Sequence, residues 1–505
     1  MTLVWGTFTF LIVGALAIGL LAWWRPWLKG AWWVAGGTLT LAWLAWIIQV
    51  PKSAVTWSWL PEALGQYVHL LFTPERWALA LGVLTASWAG WAIAAYRASN
   101  DISHPTLWMA WLGFTAAALL AVLASGVWAW LWSWVVMDAA VYALEAWAAP
   151  AARGHAARRW AWRAVASLAP WLALFVPQTW LPWLWAWAAL ARAWVMDPPG
   201  RQGRWRVVLG PGVWIALMPW WLTLLPLFQS PWPVEYAPGL GWLLGLALVL
   251  FALRWLLAPG LRAGFAGWAG LSTVLAFAVR ALDPAGGRGL FWLTLLWVTA
   301  LFLFWLEEGG EAWWLVGGVP IALAWTMWPF TPGATALYAW PGTWHEAVGW
   351  WFVSQSLLLA GALSFVRPRV PRPSSVLRGA QALAWAGGML PGLVLWGLSL
   401  RFHWLTPPPQ LTPGWIAWIW GPAAWAVAFG LGFSLSRIPE PWARRALQSF
   451  LRWRGYARVL RRQAWRTWED LVLFASEILE GRGGLVWALV VLVLIALFMT
   501  EGGEP

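Results

Sequence analysis

Apolar residues along this chain form uninterrupted stretches rather than alternating or keeping to one helical face. Each stretch is about 20 residues long, enough to cross ~30 Å of hydrocarbon as a helix. In lipid every backbone amide must find an internal partner, so only helices or closed barrels can span. Continuous apolar runs, not period-two alternation, select helices. Sixteen spans are read near 3–24, 31–50, 77–96, 106–124, 126–149, 159–177, 179–196, 206–228, 238–258, 261–280, 289–306, 312–330, 346–366, 376–400, 411–436 and 484–499. The predicted fold class is all-α, a polytopic transmembrane helical bundle of about 16 spans with an interfacial amphipathic helix before the last. The predicted division is 1–440 for the main bundle, 441–483 for the surface helix, and 484–505 for the final span and tail.

Composition agrees. The chain is 62% hydrophobic and 10% charged, against roughly 25% charged for soluble domains. So few charges cannot cover a water-facing surface. The first run, Leu3 to Trp24, has neither a basic leader nor a small-residue cleavage site, and is read as a retained span. Cysteine is absent, which excludes disulfides, thiolate metal sites and cysteine nucleophiles. The five histidines (His69, His104, His155, His345, His403) lack ligand spacing, so no metal or cofactor is expected. The 59 tryptophans are too dense for an interfacial belt alone, as at Trp128, Trp130, Trp132 and Trp134. They are read as bulky filler in place of leucine, with a chromophore-binding or stacking role as the alternative.

Charge placement tests the span count. Loops following odd-numbered spans, counted with their helix ends, hold 27 of the 32 basic residues. The other side holds Lys52, Arg76, Arg280, Arg288 and Arg401. This asymmetry is the positive-inside pattern, and it predicts that both termini face away from the cytoplasm of a bacterial or archaeal plasma membrane. Pro441 to Gly481 begins with arginines (Arg444, Arg445, Arg452, Arg454, Arg458, Arg461, Arg462, Arg466) and interleaves Leu447, Phe450, Leu451, Val459, Leu460, Trp465 and Trp468 at helical spacing. A basic face opposite an apolar one predicts a helix lying in the membrane interface. Its place between two spans argues against nucleic-acid binding.

Ionisable residues inside spans are costly and point to function. Asp138 lies near the middle of the fifth span, and Glu145 follows seven residues later on the same helical face. Arg192 falls towards the end of the seventh span, with Asp197 a turn later, and Arg254 near the end of the ninth. An Asp138–Arg192 pair would neutralise both charges, either as a packing salt bridge or as part of an ion path. Prolines interrupt several spans, most pointedly in Trp328–Pro329–Phe330–Thr331–Pro332–Gly333. Phosphate-loop, dinucleotide and Ser/His/Asp patterns are absent from the sequence.

In order along the chain, several segments resemble the antiporter-like subunits of respiratory complex I, membrane-bound hydrogenases and Mrp cation/proton antiporters. They are Tyr67 to Arg97; Leu123 to Trp134 with Tyr142; Ala189 to Ala193; Leu261 to Leu271; Leu290 to Leu303; and Pro329–Phe330. The resemblance implies sixteen spans, a lateral helix, partner membrane subunits and a chain of buried charges that carries protons or cations. Residue by residue, Val135 stands at the family's glutamate, with Asp138 one turn on along a similar face. Arg192 stands at the seventh-span lysine. Trp292 and Leu296 replace the histidines of the eleventh span, Thr299 its lysine, and Ala336 the twelfth-span lysine.

Three readings follow. The first is a subunit of a complex I-like or Mrp-like assembly, translocating ions through Asp138, Glu145, Arg192 and Thr299, with no redox centre of its own. The second is a charge-stripped scaffold in such an assembly. The third is a lipid-linked glycosyltransferase or polymerase, for which the loop Lys52–Arg76 offers only Glu62, His69 and Glu75. The expected partners are the bilayer and other membrane subunits, without nucleic acid.

Overall fold

The structure, a computed structural model of the chain, describes residues 2–24, 30–49, 55–58, 69–97, 105–124, 127–148, 237–256 and 344–365, with seven isolated positions between 160 and 430. The chain divides into two compact units, Met1–Gly432 and Phe433–Pro505, and every described residue lies in the first. The sixteen-span count, the surface helix at 441–483 and the final span therefore lie outside the described residues.

Seven helices and one hairpin are described. The helices are α1 (Thr2–Trp24), α2 (Ala31–Ile48), α3 (Pro74–Arg97), α4 (Pro105–Leu123), α5 (Val127–Ala148), α6 (Ala237–Leu256) and α7 (Trp344–Phe365). Each coincides, to within a few residues, with a span read from hydropathy. The hairpin pairs β1 (Val55–Ser58) antiparallel with β2 (His69–Phe72), Val55 opposite Phe72 and Ser58 opposite His69. It falls in the segment 52–76, which carries no hydrophobic period.

α4 is the hub, packing against α1, α2, α3 and α5. Its residues are buried on nearly every side, including Trp108, Trp111, Phe114 and Leu119. α1 and α2 beside it keep one apolar face outward. On α2 that stripe is Trp33, Leu41, Leu44 and Ile48; on α1 it is Ile12, Val13, Leu16 and Leu20. A soluble helix puts polar residues there. Here the outer face is as apolar as the inner, so hydrocarbon is its solvent.

α2 and α3 are joined by a ladder of indole hydrogen bonds. The Trp46 and Trp77 indoles each donate to the other residue's main-chain oxygen, both at 3.0 Å. Trp43 donates to Thr85 Oγ1 at 2.9 Å, Trp88 to Thr40 Oγ1 at 3.0 Å, and Trp91 to the Trp32 carbonyl at 2.8 Å. Partners ascend one helix as they descend the other, so the pair is antiparallel. Thr40 donates its own proton to the Gly36 carbonyl at 2.7 Å, which leaves its oxygen free to accept from Trp88. The filler reading accounts for the rings of these tryptophans and misses their N–H groups.

Glycine admits the indoles to the helix backbone. A Cβ on Gly36 would overlap the Trp91 ring, whose N–H reaches the carbonyl one turn back. α6 and α7 repeat the device. A Cβ on Gly245 would lie 2.5 Å from the Trp350 ring, and Trp255 donates to the Leu358 carbonyl at 3.1 Å. Both contacts advance in the same direction along the two helices, so α6 and α7 run parallel. Small residues that let a partner approach are the usual means of packing helices in lipid, where burial from water supplies no drive.

Gly36→Ala is therefore expected to destabilise the chain by about 1–3 kcal/mol through overpacking. Gly37→Ala, with nothing within 4 Å of the added carbon, is expected to be neutral. Thermal unfolding of the two variants in the same detergent measures the difference.

Candidate functional site

The site is built on α5. Ser133, Trp134, Met137, Asp138 and Val141 are buried, while Trp132, Val135, Val136 and Tyr142 are exposed. The inner stripe follows the helical period, and α4 is its main neighbour. Asp138 is 4% exposed and Val135 is 49% exposed. Three residues along a helix is a rotation of ~60° from alignment, enough here to separate the outer face from the inner. Val135 and Asp138 thus lie on different faces, a correction to the similar face expected of them. The carboxylate is the one turned inward.

Asp138 lies near the midpoint of α5, and polar groups also lie near the midpoints of α2, α3 and α4. The Ser87 and Thr115 hydroxyls, near the midpoints of α3 and α4, are 2.8 Å apart, and Thr115 donates to the Trp111 carbonyl at 2.9 Å. Since the single Thr115 proton goes to that carbonyl, Ser87 donates to Thr115. Thr40, midway along α2, accepts from Trp88. Asp138, 4% exposed, faces the bundle interior rather than lipid. A carboxylate there avoids lipid, the one arrangement in which an intramembrane charge is tolerable.

Of the remaining sequence-predicted site residues, Glu145 lies on the α5 backbone but its side chain lies outside the described residues, as do Arg192 and Thr299 entirely. The Asp138–Arg192 pair is among the features outside them. Arg254 occupies the last turn of α6, where a cation complements the helix dipole. Among the described residues, no three carboxylates or histidines gather into a set that would hold a metal ion.

Sequence reasoning missed Arg76. Hydropathy places it in a loop on the sparsely charged side, yet it lies inside α3 and is 5% exposed. Its guanidinium donates to the Val122 carbonyl at 3.3 Å and to the Ala124 carbonyl. These are orphan acceptors at the end of α4, the negative pole of its dipole. β2 adds a bridge from Leu70 to Ala124. The local signal was present: Thr73 caps α3 by accepting the Arg76 amide at 3.2 Å, and Pro74 begins the helix. Thr–Pro–Glu starts the helix three residues earlier than hydropathy does, and so draws Arg76 into it.

No protein-family model and no curated protein matches this chain. Solved structures do. A chain of the Mrp complex from Dietzia sp. DQ12-45-1b superposes with a TM-score of 0.64 at 16% identity, covering 100% of this chain and 63% of that one. The present chain therefore spans less than two thirds of that neighbour's length. A chain of the membrane-bound sulfane sulfur reductase, an archaeal respiratory membrane complex, gives 0.55 at 13% identity, covering 97% of this chain and 99% of that one. The fold is thus shared with chains of two membrane complexes. With its outward apolar faces, the protein is membrane-embedded.

Arg76→Ala removes charge-assisted bonds from buried carbonyls and is expected to cost roughly 1.5–3 kcal/mol. Arg76→Lys, with one donor centre in place of the planar fork, is expected to restore only part of it. Unfolding of both variants in detergent checks this; an Arg76→Ala variant as stable as the native chain would remove Arg76 as the clamp on α4.

Proposed function

We propose that this chain is a membrane subunit of a complex I-like or Mrp-like assembly in a bacterial or archaeal plasma membrane. The observation that carries the proposal is the fold likeness over the whole chain to subunit chains of two such complexes. The parallel run of α6 and α7 supports the three crossings read between them, and with them the sixteen-span topology. The charge asymmetry supports termini on the extracytoplasmic side and a basic lateral helix at 441–483 on the other.

Within that assembly Asp138 carries protons or cations. Its carboxyl is turned into the bundle near the midpoint of α5. Arg192, permanently charged, would be the counter-charge to Asp138 on that path. Glu145, one face along α5, and Thr299 would extend the path.

The scaffold reading has its own support in Val135, which stands where the resemblance expects a glutamate and is turned outward. In that reading Asp138 is a packing charge, and the surface helix braces neighbouring subunits. The glycosyltransferase reading draws nothing from the fold likeness.

Ion flux through the purified assembly in proteoliposomes separates the first two. Asp138→Asn, which keeps the shape and removes the titratable group, is expected to lower flux to the protein-free background while the assembly stays intact. Unchanged flux rejects conduction through Asp138 and leaves the scaffold. Release of the native chain alone and unassociated from mild detergent overturns both.

A further inference from the structure

Tryptophans of α2 and α3 also form a continuous run of neighbouring indoles, three pairs stacked and one tilted. Trp33 and Trp32 stack with ring centroids 4.1 Å apart, and Trp32 stacks on Trp91 at 6.2 Å. Trp91 lies 6.4 Å from Trp88, and Trp88 stacks on Trp43 at 6.3 Å. The run begins at Trp43, half-buried beside the outward stripe of Leu41 and Leu44, more than halfway along α2. It ends at Trp33, 65% exposed in the first turn of the same helix, at the membrane boundary.

Indole is among the most easily oxidised side chains, and electron exchange between aromatic rings falls off exponentially with their separation. Rings nearly in contact exchange faster than any competing reaction of the oxidised ring. Three of the five N–H groups are also tied: Trp43 to Thr85, Trp88 to Thr40 and Trp91 to the Trp32 carbonyl. A hydroxyl or carbonyl oxygen against the N–H stabilises the indole radical cation and holds its proton in place. Trp33, at the exposed end, is where the charge meets water.

We infer that this indole run is a hole-transfer path that carries oxidising equivalents out of the bilayer, protecting the buried helices from lipid peroxyl radicals. The inference is independent of whether the chain conducts ions. A peroxyl radical reaching Trp43 takes one electron from the indole and one proton from boundary water, and becomes a lipid hydroperoxide. Trp88 refills Trp43, Trp91 refills Trp88, Trp32 refills Trp91, and Trp33 refills Trp32. The Trp33 radical cation then takes an electron from a water-soluble enediol such as ascorbate, which gives up one electron and one proton. In sum, peroxyl radical and ascorbate become hydroperoxide and ascorbyl radical. Without a reductant the Trp33 radical loses its N–H proton and combines with oxygen.

The test uses the full chain in nanodiscs of polyunsaturated phosphatidylcholine, with a lipid-soluble azo initiator as the radical source and peptide mass spectrometry to locate oxidised tryptophan. The native chain is expected to oxidise at Trp33 and to leave Trp43, Trp88 and Trp91 unmodified; added ascorbate is expected to protect Trp33. Trp32→Phe removes one station yet keeps the bond from Trp91, because Trp32 receives it through its main-chain oxygen. In that variant oxidation of Trp43, Trp88 and Trp91 is expected to rise severalfold, and ascorbate to protect them no longer. Trp88→Phe, which cuts the run next to its inner end, is expected to confine the rise to Trp43. Trp132→Phe, at an exposed indole outside the run, is expected to leave the pattern as in the native chain. Oxidation that follows exposure alone, with Trp23 and Trp24 above Trp33 and Trp32→Phe without effect, overturns the inference.

Discussion

A buried indole N–H in a membrane has no water to bond, and the need to find it an acceptor shapes the α2–α3 pair of this protein, although the Trp111 N–H buried in α4 has no acceptor among the described residues. Its helices have almost no polar side chains with which to recognise one another. In hydrocarbon they gain nothing from hiding leucine against leucine, since lipid is as apolar as any neighbour. Tryptophan offers a large ring for dispersion contacts and a single donor with direction. The acceptors are helix carbonyls, whose second lone pair is unused by the helix, and the Thr85 and Thr40 hydroxyl oxygens, of which Thr40 has given its own proton to the preceding turn. Each of the five bonded indoles thereby specifies which helix it meets and at what height.

The same constraint orders the rest. Glycine stands where an indole must reach the backbone, at Gly36 for Trp91 and at Gly245 for Trp350. Arg76 serves the end of α4 in the way the indoles serve its neighbours, a donor brought to carbonyls that the helix leaves open. Asp138 then occupies the inner face of α5 near its midpoint, as the bonded Ser87 and Thr115 hydroxyls lie near the midpoints of α3 and α4. The candidate site is thus part of the packing scheme rather than an insertion into it.

Much of this fold was legible in the sequence because lipid imposes one rule on every span. α1, α2, α4 and α5 lie within a few residues of the positions read from hydropathy, and an aspartate in the fifth span had to turn inward. What was not legible depends on tertiary register. Four-residue strands at Val55 and His69 have no period to detect, and their pairing shows only when the chain turns back. Val135 and Asp138, three residues apart, differ in face because α5 is rotated by its contact with α4, which sequence spacing does not fix. The indole ladder was hidden for the same reason. Any of the 59 tryptophans has the donor, and only the α2–α3 crossing selects which five find partners there.

The central claim is that indole donors, and not ring volume alone, hold α2 to α3. The most direct measurement is a double-mutant cycle on Trp43 and Thr85, joined at 2.9 Å, with Trp43→Phe and Thr85→Val compared singly and together by reversible unfolding in a membrane mimetic. A real interhelical bond predicts a coupling of about 0.6 kcal/mol, reaching ~1.7 kcal/mol at most, as such bonds give in lipid. Strictly additive losses, with no coupling between the two positions, would contradict the account and return the tryptophans to the role of filler.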